Sequence, residues 1–143
     1  MTINIDFDGT CVTHEFPKIR KSIGAEKVLK KLVENGHKLI LFTMRSDRLK
    51  KGKTGDKMIK DVTGLFLTDA VNWFKENEIP LYGIQTNPTQ HTWTTSPKSY
   101  AELMIDDSAL GCPLDYNPSI SKRPFADWKE IESQLIMWKI IKI

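Results

Sequence analysis

The sequence predicts an α/β fold: a doubly wound parallel sheet of about five strands, in one domain over residues 1–143, with no separate cap domain. Three observations carry the prediction. Short apolar runs alternate with stripes of helical period. The first two runs flank a helix, which makes a right-handed βαβ unit. Acidic residues follow directly on two of the runs, where the strands of such sheets meet their ligands.

Thr2-Ile3-Asn4-Ile5 is the first strand, rich in β-formers, and Asp6-Phe7-Asp8-Gly9-Thr10 ends it abruptly. Two carboxylates in a half-buried place are costly unless they hold a metal or do chemistry. Gly9 to Pro17 is polar and reads as a tight turn and a small flap. Ala25, Val28, Leu29, Leu32 and Val33 form one helical stripe that Asn35-Gly36 stops. Lys38 to Phe42 is a nearly continuous apolar run, as in a strand buried on both faces, and Thr43 ends it. Met44 to Gly64 carries Arg45, Arg48, Lys50, Lys51, Lys53, Lys57 and Lys60 against Asp47, Asp56 and Asp61, seven minus three, or +4. It reads as a solvated loop, or as a basic rim and lid that draws an anionic substrate to the strand ends.

Leu67, Ala70, Val71 and Phe74 mark a second helix, about Leu65 to Asn77, stopped by Pro80. Leu81 to Gln85 follows as a third strand. Asn87 to Pro97 is polar and carries His91 and Trp93. Tyr100 to Ile105 leads into a fourth strand ending at Asp106-Asp107, and Gly111 to Leu114 holds a short fifth. Asp127 is an N-cap with Glu130 at the capping-box position. Trp128, Ile131, Leu135 and Trp138 line the last helix. The apolar tail Ile140 to Ile143 fits packing on the core or on a second subunit, so a homo-oligomer stays open.

Composition excludes several classes. At 40% hydrophobic and 27% charged, the chain is a globular domain and not a disordered one. A net charge of +3 is too mild to indicate nucleic acid by itself. No apolar run approaches the roughly 18 residues of a membrane span. With the first strand opening at residue 2, a secretory leader is not expected. Cys11 and Cys112, without CxxC spacing, read as reduced thiols, so a cytoplasmic location is expected. They and the three histidines are read as structural or surface groups, with His14 and His91 at the rim and His37 in a structural role.

The strand ends therefore collect Asp6 and Asp8, then Thr43, then Asp106 and Asp107, with Lys98 just upstream of the fourth strand. Singly, each has a plainer reading. Asp8-Gly9-Thr10 fits a turn, Thr43 a β-former, Lys98 a surface lysine, and Asp106-Asp107 a loop start. Together, in this order, they resemble the motifs of the haloacid-dehalogenase-like hydrolase superfamily. Asp6, Asp8, Gly9 and Thr10 match its DxDGT motif, Thr43 its hydroxyl after an apolar strand, Lys98 its lysine, and Asp106-Asp107 its acidic pair.

The resemblance implies a Rossmann-like hydrolase domain that cleaves a phosphate monoester with Mg²⁺. Asp6 is then the nucleophile that forms an aspartyl phosphate, which splits one hard displacement into two. Mg²⁺ cancels charge between carboxylate and phosphate, held by Asp6, the Asp8 backbone carbonyl and Asp106, with Asp107 orienting the site. Asp8 protonates the leaving alcohol and then activates water. Thr43 donates a hydrogen bond to the phosphoryl group, and Lys98 neutralises charge. Gly9, Thr10, Arg45 and Arg48 are substrate-binding candidates. An acid at position 8 favours phosphate-ester chemistry over dehalogenation.

Neither the stretch from Gly9 to Met44 nor the 54 residues between Thr43 and Lys98 has room for a large cap. An open site suits a bulky or macromolecular phosphorylated substrate. Polynucleotide ends are the near alternative, although no aromatic ladder for a single strand is seen. Two non-hydrolase readings compete. In a receiver-type signalling domain the acceptor Asp ends the third strand, where this chain has Gln85-Thr86. A phosphate-binding domain without catalysis would not need the complete residue set.

Overall fold

The computed structural model describes residues 1–19, 21–50 and 62–143. In chain order its elements are β1 (Thr2–Ile5), α1 (Ala25–Glu34), β2 (Lys38–Leu41), β3 (Asp47–Arg48), β4 (Gly64–Leu65), α2 (Phe66–Glu76), β5 (Gly83–Ile84), a 3₁₀ turn (Gln90–Thr92), β6 (Leu103–Ile105), β7 (Leu114–Asp115), β8 (Phe125–Ala126) and α3 (Trp128–Met137). The fold is α/β. One parallel sheet runs in the order β5-β2-β1-β6. The chain steps outward from β1 to β2 to β5, then returns to place β6 on the free side of β1. The gap between β1 and β6 is the topological switch point, where the connections leave in opposite directions and a crevice opens.

Register explains the core. Ile3 stands beside Leu39 and Leu103, and Ile5 beside Leu41 and Ile105. Partners at one level of a parallel ladder share a face, and these residues join a single apolar cluster with Ala25, Val28, Leu29 and Leu32 of α1, Ala70, Trp73 and Phe74 of α2, and Ile131 and Leu135 of α3. Phe7, just past β1, meets Trp73 edge-on at 5.7 Å and Phe74 at 6.3 Å between ring centroids. Such pairs add about 0.5–1.5 kcal/mol each beyond the area they bury. With Phe7 turned into this core, alternation sends its neighbours Asp6 and Asp8 the other way.

Two expectations change here. The three described helices share the core on one face. On the opposite face Thr2, Asn4 and Ile40 are buried and Met104 is exposed, and the segment that joins β5 to β6 packs on Asn4. Asn4 Nδ2 donates to the Ser99 carbonyl at 3.0 Å, and Ser99 Oγ donates to Asn4 Oδ1 at 3.1 Å. That connection holds a 3₁₀ turn and no longer helix, because its polar sequence lacks an apolar stripe. Winding on both faces is thus not seen among the described residues. The fifth strand is also misplaced. Leu114–Asp115 pairs antiparallel with Phe125–Ala126, outside the sheet, which therefore has four strands. Gly111, at φ +91°, turns the chain away, and Pro113 has no N–H to offer a ladder.

The strands are shorter than expected at their starts: Leu81 and Tyr100 lie before β5 and β6. Asp127 caps α3 as expected, accepting from the Lys129 and Glu130 amides at 3.1 Å each. Of the tail, Ile141 is buried and Ile143 exposed. Among the described residues no helix is long and apolar enough to cross a membrane. Of the basic stretch, the ends pair as the β3–β4 ribbon. Lys51, Lys53, Lys57 and Lys60, and with them the expected lid, lie outside the described residues.

Candidate functional site

The site is built where β1 and β6 end side by side. The Asp6 amide donates to the Ile105 carbonyl at 3.0 Å, which brings Asp6 level with Asp106 and Asp107. Asp6, Asp106 and Asp107 each present a carboxylate oxygen within 4.8 Å of the others. Thr10 ties them together. Its hydroxyl donates to Asp6 Oδ2 at 2.8 Å, lies 3.3 Å from Asp107 Oδ1, and accepts from the Asp107 amide at 2.9 Å. Asp106 Oδ1 accepts from the Ser108 amide at 2.9 Å and the Ser108 hydroxyl at 2.7 Å.

The turn that carries Thr10 is held from outside. Trp128 Nε1 donates to the Thr10 carbonyl at 2.6 Å, and the Ala126 amide to the Gly9 carbonyl at 2.8 Å. The β8–α3 junction thus positions the acidic cluster without touching it.

Crowding three carboxylates has an electrostatic consequence. Burial above all, with Asp106 and Asp107 adding repulsion against the Thr10 and Phe7 hydrogen bonds, pushes the Asp6 carboxyl from an ordinary 3.8 up to about 8. At neutral pH and without a counter-charge, Asp6 keeps its proton. Burial also works to raise Asp107, but the His14 hydrogen bond and charge, with bonds from Asp6 and Thr10, outweigh it and hold Asp107 below its ordinary value.

His14 corrects an expectation. It is not at the rim but donates from Nε2 to Asp107 Oδ2 at 2.6 Å, both side chains being 14% exposed. Gly9 makes room for it: at φ +83°, a Cβ there would fall 2.0 Å from His14 Nε2. The signal was present in the flap, since a histidine four residues past Thr10 can fold back over the turn. Spacing alone could not show that it would.

Asp8 stands apart from the cluster. Its carboxylate takes a two-pronged ion pair from Arg45, Nε to Oδ2 and Nη2 to Oδ1, both at 2.7 Å. Arg45, expected to meet substrate, is only 2% exposed. Its remaining donors go to the carbonyls of Pro17, Lys18 and Phe66 at 3.2–3.3 Å. Thr43 lies beside this pair; its hydroxyl accepts from the Arg45 amide at 3.1 Å. Gln85 locks the Thr43 backbone, accepting from its amide at 2.9 Å and donating to its carbonyl at 2.6 Å.

Lys98 is exposed, and its ammonium pairs with no described residue. Only its backbone is held, by Ser96 Oγ on the amide and Gln90 Nε2 on the carbonyl. Arg48 sits in the β3 ribbon, half-buried. The structure thus brings together Asp6, Thr10, Asp106 and Asp107, adds His14, pairs Asp8 with Arg45 beside Thr43, and leaves Lys98 and Arg48 outside the cluster. Cys11 is buried, its thiol donating to the Asp6 carbonyl at 3.3 Å, and burial pushes its pKa up. His37 joins chain ends, as expected of a structural residue, through the Met1 amino group and the Ile140 carbonyl.

The arrangement can neutralise a hard cation and present one carboxylate beside it. No family model and no curated protein matches the chain. A solved structure does match, that of the conserved protein coded by a locus from Bacteroides thetaiotaomicron. It is 30% identical, with a TM-score of 0.66 over 97% of this chain and 91% of that one. At that identity and coverage, the chain belongs to the same family as this conserved Bacteroides thetaiotaomicron protein.

Proposed function

We propose that the chain is a Mg²⁺-dependent phosphoric monoester hydrolase of the haloacid-dehalogenase-like type, acting from Asp6 through an aspartyl phosphate. One observation carries the reading: at the switch point Asp6 presents a carboxylate oxygen within 4.8 Å of those of Asp106 and Asp107, a crowding of acids that a bound cation would relieve. The strand order β5-β2-β1-β6, with the acids at the ends of the neighbours β1 and β6, is compatible with that family's layout.

The donor set fits the ion. All three groups are carboxylates, the hard oxygen ligands that Mg²⁺ prefers to nitrogen or sulfur. Asp6 and Asp106 would hold it, with the Asp8 backbone carbonyl; Asp107, tied to His14 and Thr10, keeps Asp106 and Asp6 in register. Bound Mg²⁺ would supply charge neutralisation between nucleophile and phosphate.

The chain's own residues do the rest. An ionised Asp6 attacks phosphorus, the bond to the alcohol breaks, and water then cleaves the acyl phosphate to return Asp6. Thr10 orients the attacking carboxylate through its hydroxyl. Thr43 has a hydroxyl hydrogen to give a phosphoryl oxygen, since its bond to Arg45 uses only a lone pair. Asp8, its carboxylate oriented by Arg45, gives a proton to the leaving alcohol and then takes one from the attacking water. Strand ends without a cap among the described residues would suit a bulky phosphorylated substrate.

A phosphate-release screen tests the reading. Sugar phosphates, nucleotides, phosphopeptides and oligonucleotides with 3′ or 5′ phosphates are offered with Mg²⁺ or with EDTA. Release is expected with Mg²⁺ alone, and Asp6→Asn abolishes it. Turnover that survives EDTA, or survives in Asp6→Asn, refutes the mechanism. Wild-type protein that releases phosphate from nothing, yet binds Mg²⁺, favours a non-catalytic phosphate-binding domain.

A further inference from the structure

Arg45 is used in full by the protein itself. A guanidinium has five N–H donors in a rigid fork, and here each finds an acceptor: two on the Asp8 carboxylate and one each on Pro17, Lys18 and Phe66. Its flat faces are also covered, by the Phe7 ring at 5.0 Å and the Phe16 ring at 5.2 Å. Phe16 in turn meets Phe66 edge-on at 5.0 Å. One buried side chain thus joins the end of β1, the 13–19 flap and the start of α2.

Among the described residues the flap has few other fastenings for its outer half. Its base is fixed by backbone pairing of Val12 with Asp8 and Ser22. Beyond it, Thr13 Oγ1 is buried without a partner. His14 reaches Asp107, and the next fastening is the pair of carbonyls on Arg45. Besides the Phe16–Phe66 ring contact and Ile19 against the core, these two are the polar fastenings of the outer half among the described residues, and the Asp8 carboxylate is held by the same guanidinium as the second.

We propose that Arg45 is a positioning residue that fastens the 13–19 flap and sets the orientation of Asp8, and that it makes no contact with substrate. The kinetic half of this proposal rests on the hydrolase reading; the flap half does not. Lysine cannot replace the fork, because a single ammonium cannot span a carboxylate and three carbonyls spread around it.

Hydrogen–deuterium exchange with mass spectrometry tests the flap in wild type, Arg45→Lys, Arg45→Met and the double variant Arg45→Met/Asp8→Asn. The double variant leaves no unpaired buried carboxylate, so it folds even where the single Met variant does not. Expected is at least about tenfold faster exchange over 13–19, with β2 and α3 unchanged and Arg45→Lys intermediate. Unchanged flap exchange, or an equal rise in every segment, overturns the proposal. Kinetics with 4-nitrophenyl phosphate and Mg²⁺ separate positioning from binding. Arg45→Lys should lower kcat about tenfold with KM within about twofold. A raised KM at unchanged kcat makes Arg45 a substrate ligand and overturns it. If wild type hydrolyses no ester, the hydrolase reading fails while exchange alone still decides the flap.

Discussion

Replacing Asp6 with Asn should stabilise the protein, and the gain should depend on pH in one direction. Asp6 has its folded pKa raised from 3.8 to about 8, chiefly by burial. A raised acid contributes fully to stability below its unfolded value and loses that contribution as pH rises through the folded one. The window is therefore pH 4 to 8. Each pH unit inside it is worth ~1.4 kcal/mol, and the whole gap ~6 kcal/mol. Water on the open side of the cluster relieves part of this, so the expected advantage of Asp6→Asn at pH 8 is roughly 2–4 kcal/mol. An Asn oxygen can still accept from Thr10, which keeps that hydrogen bond out of the comparison. Urea unfolding at several pH values in EDTA measures it: the two proteins should coincide near pH 4 and diverge steadily towards pH 8. Equal stability at pH 8, or a gain that grows towards acid, would refute the account of Asp6 as a buried, uncompensated acid.

Two further substitutions probe how the site is held. Gly9→Ala places a Cβ on His14 in a backbone conformation that L-residues resist; a loss of about 2–3 kcal/mol in urea is expected, with the His14 imidazole shifted by NMR. Trp128→Phe keeps the ring packing but strips the Thr10 carbonyl of its donor; about 1–3 kcal/mol should be lost, with Mg²⁺ affinity weakened through the displaced Thr10.

Much of this was legible in the chain itself. Ile3 and Ile5 flanking Asn4, the stripe from Ala25 to Leu32, and Leu39 to Leu41 mark elements whose local period and burial agree. Asp127 announced its helix because a cap is a local interaction. The carboxylates could be suspected because nothing apolar compensates them in sequence. What failed was non-local. Leu114 looks like a strand residue wherever it pairs, and only the turn at Gly111 and the partner at Phe125 decide that it leaves the sheet. Lys98 is a lysine near a strand in sequence, yet it is exposed and joins nothing in the cluster.

The sequence by itself determined an α/β chain with acids on two strand ends, since periodicity and the break after Ile5 are properties of neighbouring residues. The tertiary structure decided which acids meet. Strand order set Asp6 beside Asp106 and Asp107, because β6 returns to the free edge of β1. It also decided what each acid can do: Asp107 is paired by a histidine 93 positions away in the chain, and Asp8 by an arginine 37 positions away. Ion pairs and desolvation depend on distance in space, and that distance is not written in the order of the residues.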